Sequence, residues 1–303
     1  MLRFAGALWS AEPRTPSQNL PAGVKAIAST NMHNVFRLTT NTYSGSAPES
    51  DSAFAELSRL GIKTILSVDG AKPKVALAHH HGLRYVHLPH GYDGIEPDLQ
   101  AQLIKAARLS PGPVFVHCHH GMHRGPAAAA VICMGNDAWS ADVGEAWLNA
   151  AGTGSNYAGL YQAVRGFQKP SPQQLRTVSS TFPEVAKVSG LVDSMVAIDA
   201  HWNYFKAFRK AGYQKPKEHP DIDPAHEAVI FWEQFREAQR LDEPVALGKD
   251  FLEQLKKSEV QAQAIEKTLR QRPDAARAEL DRQFDAVAQS CTACHQAFRD
   301  RKN

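Results

Sequence analysis

The spacing of apolar positions changes character part-way along the chain. Before residue 137, short apolar runs alternate with stretches of helical period. "NVFRLTTNTYSGSAP" (34–48) starts with strand-forming residues and ends in a Gly/Ser/Pro turn. "DSAFAELSRLG" (51–61) places apolar residues three and four apart and stops at a glycine. "KTILSVDG" (63–70), "LRYVHLPH" (83–90) and "PVFVHC" (113–118) read as buried strands. Between them, "KVALAHHHG" (74–82) and "EPDLQAQLIKAARLS" (96–110) read as helices, and "RGPAAAAVICMGN" (124–136) begins another. This alternation predicts an α/β domain around a central, mainly parallel sheet.

The pattern then shifts. Residues 169–182 lie in a Pro/Ser/Gln-rich stretch that reads as a linker. Beyond it no strand-like run occurs, and four helical segments can be drawn at 183–213, 223–241, 247–271 and 273–302. Helices joined by short or moderate connections predict an antiparallel four-helix bundle. The expected division is therefore an N-terminal segment (1–29), an α/β domain (30–168), a linker (169–182) and an all-α bundle (183–303).

Composition narrows the partners. At 303 residues the chain has room for two cores, and its 43% hydrophobic content is that of a water-soluble fold. A net charge of +3 is too small to imply nucleic acid. No run approaches the roughly 18 apolar residues of a membrane span. Four cysteines, Cys118, Cys133, Cys291 and Cys294, are too few for a disulfide scaffold. Cys133 sits in the Ala-rich helix as a small hydrophobe. The N-terminal segment has an early Arg3 and a short apolar run but no small-residue cleavage site, so it makes a poor signal peptide.

Two motifs carry chemistry. In "VFVHCHHGMHRGP" a strand delivers Cys118 into a loop that leads to a helix. Amides at a strand–loop–helix junction converge on one spot and suit a phosphate-like anion. The same field predicts a depressed thiol pKa for Cys118. Arg124 offers a planar fork to two oxygens, and Gly121 permits the tight turn. The side chains of His119, His120 and His123 are expected to splay outward. His79, His80 and His81 suit the end of a helix better than a metal. A thiolate beside a bound phosphoryl group can form a cysteinyl-phosphate intermediate.

H-C-x5-R after an apolar strand resembles the signature of the protein tyrosine phosphatase superfamily, and the compact α/β domain resembles its dual-specificity-like branch. The resemblance covers about residues 30–168. It implies a cysteine-dependent phosphomonoester hydrolase. Cys118 would be the nucleophile, His117 would tune it, and Arg124 would clamp the phosphate. The amides of His119, His120, Gly121, Met122, His123 and Arg124 would cradle its oxygens. The general acid is expected on the loop "LPHGYDGIEPD", at Asp93, with Asp98 a weaker candidate in the first turn of the next helix. One position departs from the family: Gly125 stands where Ser or Thr usually follows the arginine, which puts hydrolysis of the intermediate in doubt.

"CTACH" is C-x-x-C-H, the attachment sequence for one c-type haem: Cys291 and Cys294 reach the vinyl groups and His295 binds the iron. "CTACHQAFR" near the end of a helical region resembles the cytochrome c′ group. That likeness covers about residues 183–303. It places Arg299 near the propionates and Met195 over the opposite face of the iron, with His201 and an open position as alternatives. It also implies a periplasmic location, because bacteria attach haem c outside the cytoplasmic membrane, and allows a homodimer through the bundle near "HWNYF". The redox partner is unknown. The function expected is a phosphatase fused to a mono-haem cytochrome, open to redox or ligand regulation. The alternative is an electron-transfer or sensing cytochrome whose phosphatase-like domain only binds an anion.

Overall fold

The structure is a computed structural model describing residues 20–155, 157–187, 190–216, 222–271 and 277–299. Most of the expected N-terminal segment, residues 1–19, lies outside these.

Six strands form one mixed, mostly parallel sheet. They are β1 (Lys25–Ala26), β2 (Phe36–Arg37), β3 (Thr42–Ser46), β4 (Thr64–Ser67), β5 (Arg84–His87) and β6 (Val114–Cys118). Their order is β1-β2-β3-β6-β4-β5. The first two pairings are antiparallel, and β3, β6, β4 and β5 run parallel. β6 therefore lies deep in the sheet, with Ser46 level with Cys118 on one side and Ser67 level with His117 on the other. Alternation along β6 sends Phe115 to one face and Val114, Val116 and Cys118 to the other. On the first face, α1 (Asp51–Arg59) and α2 (Val75–His80) contribute Phe54, Leu57 and Ala78 to a core with Ile65, Tyr85 and Phe115. On the second, α3 (Pro97–Leu109), α4 (Arg124–Asn136), α5 (Ala141–Ala151) and α6 (Ala158–Arg165) cover Leu66, Val86 and Val116.

The Ala-rich sequence of α4 has a packing reason. All its residues from Arg124 to Gly135 are buried, so the helix needs small side chains all round. At Gly135 even a Cβ would come within 2.5 Å of Ile104. α5 and α6 fall beyond the last α/β element drawn from the sequence pattern, yet α5 carries ordinary signals. Ser140 caps its start by accepting from the Val143 amide, and Gly152 ends it in the left-handed region.

The stretch read as a linker is packed onto the sheet domain. It forms a short helix, α7 (Pro172–Thr177), begun by a Ser171/Gln174 capping box, and it buries Phe182 in the first core. The amide of His87 donates to Pro183 O, and the amide of Ala186 donates to His87 Nδ1, so this segment covers the outer edge of β5.

The rest of the described chain is helical: α8 (Leu191–Lys210), α9 (Pro224–Ala238), α10 (Asp242–Leu247), α11 (Lys249–Gln271) and α12 (Arg277–Cys294), then a π-helical turn at His295–Arg299. α8, α9, α11 and α12 share a core of Phe205, Phe208, Phe231, Trp232, Leu255, Ile265 and Val287. Helix α9 belongs to both halves, because Ile230 packs into the core of the α/β domain and its neighbour Phe231 into the helical one.

Trp147 on α5 anchors the second face of the sheet. It is fully buried, meets Phe36 edge-on at 5.1 Å, and donates its indole N–H to Pro126 O at 3.1 Å. Trp147→Ala is expected to destabilise the α/β domain by about 3–5 kcal/mol, read as a lower urea midpoint with near-UV circular dichroism as the probe.

Candidate active site

Cys118 is the last residue of β6, and the loop after it closes in five residues onto the first turn of α4 at Arg124. Two glycines make this possible. Gly121 has φ +68°, and a Cβ there would stand 2.3 Å from the carbonyl carbon of Gly45 on β3. A side chain is excluded on both counts. Gly125 lies against the base of the loop, where a Cβ would come within 2.9 Å of Cys118 N and 3.4 Å of its Sγ. A side chain at this place has no room without a backbone shift.

The loop carbonyls are turned away from the centre. Ala47 donates its amide to His119 O at 3.1 Å, and Thr153 Oγ1 donates to Met122 O at 2.7 Å. Amides are left to face inward, and those of His123 and Gly125 reach the Cys118 sulfur. His117 is buried and pairs its Nε2 with Tyr85 Oη at 2.8 Å, while burial pushes its pKa down to about 3, so it is neutral beside the thiol.

Three expectations are corrected here. Cys118 is 3% exposed, and burial raises its thiol pKa although Arg124 pulls it down; Glu233 raises it further. The depressed pKa expected from the loop amides and helix start is therefore absent in this closed arrangement. His123 does not splay outward: it is buried against Tyr157, with ring centroids 4.5 Å apart, and its Nδ1 faces the amide of Gly154. His119 and His120 are half-covered too, with their rings against the Trp232 indole at 5.1 and 4.9 Å. Burial first, then neighbouring cations, holds all three imidazoles neutral.

Asp93 lies on the exposed loop after β5, with Oδ1 beside Gly91 and its carbonyl pressed on α6, where a Cβ on Gly159 would come within 1.9 Å of Asp93 O. Asp98 is exposed in the first turn of α3.

Sequence reasoning missed what meets Arg124. The guanidinium is 2% exposed. Its Nη1 donates to Glu237 Oε1 at 2.9 Å and its Nη2 to Glu233 Oε2 at 3.1 Å, both from α9. The Tyr92 ring lies 4.6 Å below it, and the Tyr92 hydroxyl donates to Glu233. Arg124 Nε has no partner among the described residues. Asp69, buried after β4, adds a further acidic neighbour whose own pKa burial raises. Burial also lifts Glu233 to about 7, against the pull of Arg124 and the Tyr92 hydroxyl and with the push of Glu237. At the rim, Glu49 pairs with Arg236 at 3.1 Å, Arg240 at 3.0 Å and Lys74 at 2.7 Å. Burial alone would raise Glu49, but these cations bring it down to about 2.

Cys291 and Cys294 are free and half-buried, and each packs against the helical core, as do Met195, Trp202 and Phe298. Burial pushes Cys291 up to about 11 and raises Cys294 as well. His295 opens the π-helical turn. The Arg299 side chain lies outside the described residues. His201 Nδ1 faces Glu227 Oε2 at 3.0 Å.

No family model matches this chain, and no curated protein matches it. Solved structures do. One is TpbA of P. aeruginosa, at 20% identity and TM-score 0.42, covering 51% of this chain and 95% of that one. A putative DUF442 phosphatase from Shewanella putrefaciens CN-32 matches at 14% identity and TM-score 0.36, covering 45% and 93%. The core catalytic domain of the PP-IP phosphatase SIW14 from S. cerevisiae matches at 18% identity and TM-score 0.33, covering 48% and 83%.

The two outlying acids give opposite pH dependences. Glu49, lowered on folding, contributes stability that is complete above about pH 4.5 and is lost as pH falls through about 2. Glu233, raised on folding, contributes stability that is complete below about pH 4.5 and is lost as pH rises through about 7. Each is worth at most roughly 3 kcal/mol. Unfolding curves from pH 2 to 8 are expected to show wild type losing stability relative to Glu233→Gln above pH 4.5, and relative to Glu49→Gln below it.

Proposed function

We propose that the α/β domain is a cysteine-dependent phosphomonoester hydrolase of the protein tyrosine phosphatase type. The observation that carries this reading is the Cys118 loop, in which the sulfur receives amides of His123 and Gly125 while Arg124 rises from the helix start beside it. The unpartnered Arg124 Nε supports it, because a buried donor left over by two carboxylates suits an anion with more oxygens.

The reaction follows from these groups. Phosphate oxygens take the inward amides and the Arg124 fork. The Cys118 thiolate attacks phosphorus as the ester P–O bond breaks, and the leaving oxygen takes a proton from Asp93 on its exposed loop. Water then attacks the cysteinyl phosphate and releases the thiolate. No hydroxyl at Gly125 assists this second step, so it is the slow one. Cys118→Ser is expected to lower turnover of an aryl phosphate at least about a thousandfold. Arg124→Lys should lower it about a hundredfold by removing the two-pronged contact. Asp93→Asn should lower it about a hundredfold and remove the basic limb of the pH profile. Turnover that survives Cys118→Ser would defeat the reading. No turnover in any form would favour the second reading, a cytochrome with an anion-binding relic, which Gly125 and the occupied Arg124 fork support.

The helical half we propose to be a four-helix bundle of the cytochrome c′ kind, holding one haem c. The donor set fits: two free thiols one turn apart on α12, His295 next to them, and Met195 in the same apolar cluster. The group would supply one-electron redox chemistry, or bind a small gas if Met195 yields its place. This carries a periplasmic location and a redox partner with it. A homodimer through α8 has support in Val192 and Val196, exposed one turn apart on that helix. Protein made with a haem c maturation system is expected to retain one covalent haem per chain after acid–acetone extraction. Cys291→Ser with Cys294→Ser should retain none, and Met195→Ala should lose the six-coordinate low-spin spectrum.

A further inference from the structure

The proposed reaction needs the Arg124 fork, and in this structure the fork is taken. Glu237 and Glu233 hold its two terminal nitrogens at 2.9 and 3.1 Å, and the Arg124 and Glu233 side chains are each 3% exposed. Both acids come from α9, on the helical half of the chain, more than a hundred residues after the loop they fill. We propose that α9 is an autoinhibitory plug, whose two carboxylates stand in for a phosphoryl group on Arg124 while the helical half is docked, and that substrate enters when α9 withdraws. This rests on reading the Cys118 loop as a phosphate site.

Four observations support the plug. A carboxylate is planar and anionic like one edge of a phosphate, so it satisfies the fork while leaving Arg124 Nε unpaired. Joint occupancy carries a charge cost: one guanidinium already faces Glu233, Glu237 and Asp69, and a phosphate dianion beside them would have to be offset by protonation of Glu233 or Asp69, which burial already favours. The sulfur is closed off from solvent, Cys118 being 3% exposed, and Trp232 of α9 lies against the loop at His119 and His120. Part of the fastening around the rim is polar and can be replaced by water, namely Glu49 with Arg236 and Arg240, Gly70 N with Glu237 Oε1 at 3.2 Å, and Lys72 with Asp242 at 2.8 Å, while Ile230 and Trp232 add apolar contacts that withdrawal must also break. The closed state also keeps the sulfur as a neutral thiol, because burial and Glu233 raise its pKa. Withdrawal of α9 would remove the Glu233 contribution and leave Arg124 and the amides to favour the thiolate.

A buried carboxylic acid near the nucleophile has a second possible role, that of proton donor to the leaving group. The two roles predict opposite signs. The test uses the full chain: wild type, Glu233→Gln with Glu237→Gln, and Arg240→Glu, which repels Glu49 at the rim and leaves every group of the site in place. Three quantities are read: kcat/KM for an aryl phosphate, orthovanadate affinity by calorimetry, and the alkylation rate of Cys118 by iodoacetamide from peptide mass spectrometry. The plug predicts at least a tenfold rise in kcat/KM, in vanadate affinity and in alkylation rate for both variants, with circular dichroism unchanged. Unchanged vanadate affinity and alkylation in Arg240→Glu would overturn it. So would a fall in kcat/KM for the double variant, which is the result for a proton donor. Should no form hydrolyse the ester, vanadate affinity and thiol access still decide the plug, so the failure of the hydrolase reading is told apart from the failure of this one.

Discussion

Arg124 brings a permanent positive charge into a position almost without solvent, and that single burden organises the middle of the molecule. A guanidinium cannot shed its proton to escape the cost of burial, so it must be met by anions and well-placed acceptors. The α/β domain supplies only part of the answer: the Tyr92 face beneath it and Asp69 nearby. The rest comes from α9 through Glu233 and Glu237. The position of α9 follows from this. Its acids must reach over the C-terminal ends of the parallel strands, which is where α/β sheets present loops to ligands. Once there, Trp232 is set against the loop histidines and Arg236 and Arg240 against Glu49.

The loop itself depends on missing side chains. It can lie against β3 because Gly121 carries no Cβ where its backbone meets Gly45, while a Cβ on Gly45 would run into the Phe115 ring at 2.8 Å on another side. It can pass directly into α4 because Gly125 leaves the Cys118 backbone room. Close approach aims the amides inward, and it leaves no room for a side chain at Gly125.

Much of this was legible in the sequence, and the limits have physical causes. The strands around Leu66, Val86 and Val116 stand out because a strand buried on both faces is a continuous apolar run. Cys118, Gly121 and Arg124 are legible because their spacing is a local fact of one loop. The contacts of Glu233 and Glu237 are not, since nothing in "FWEQFREAQR" distinguishes an acid that crosses to another element from one on a solvated helix face. The raised thiol pKa of Cys118 follows first from burial and then from Glu233, and local reasoning from loop amides gives the opposite sign. The segment 169–182 looked like a tether because Pro and Ser dominate it, yet Phe182 and the backbone of Pro183 pin it to β5. Composition reports what a segment cannot form on its own. It does not report which edge lies close enough to receive it.

A plug of this kind can be weak contact by contact. Because α9 is part of the same chain, its carboxylates face the loop at an effective concentration in the millimolar range or above, without the cost of bringing two molecules together. Rim ion pairs worth a fraction of a kcal/mol each then suffice to hold the site closed against a dilute phosphate ester. The sign of the buried charges matters more than their number. Glu233 is held above its ordinary pKa and Glu49 below it, so the two draw the docked arrangement in opposite directions as protons are added or removed. The helix whose acids hold Arg124 also sends Phe231 against Trp202, in the core on which Cys291, Cys294 and Met195 pack. A repacking of that cluster therefore acts on the helix that covers Arg124 with no intervening element.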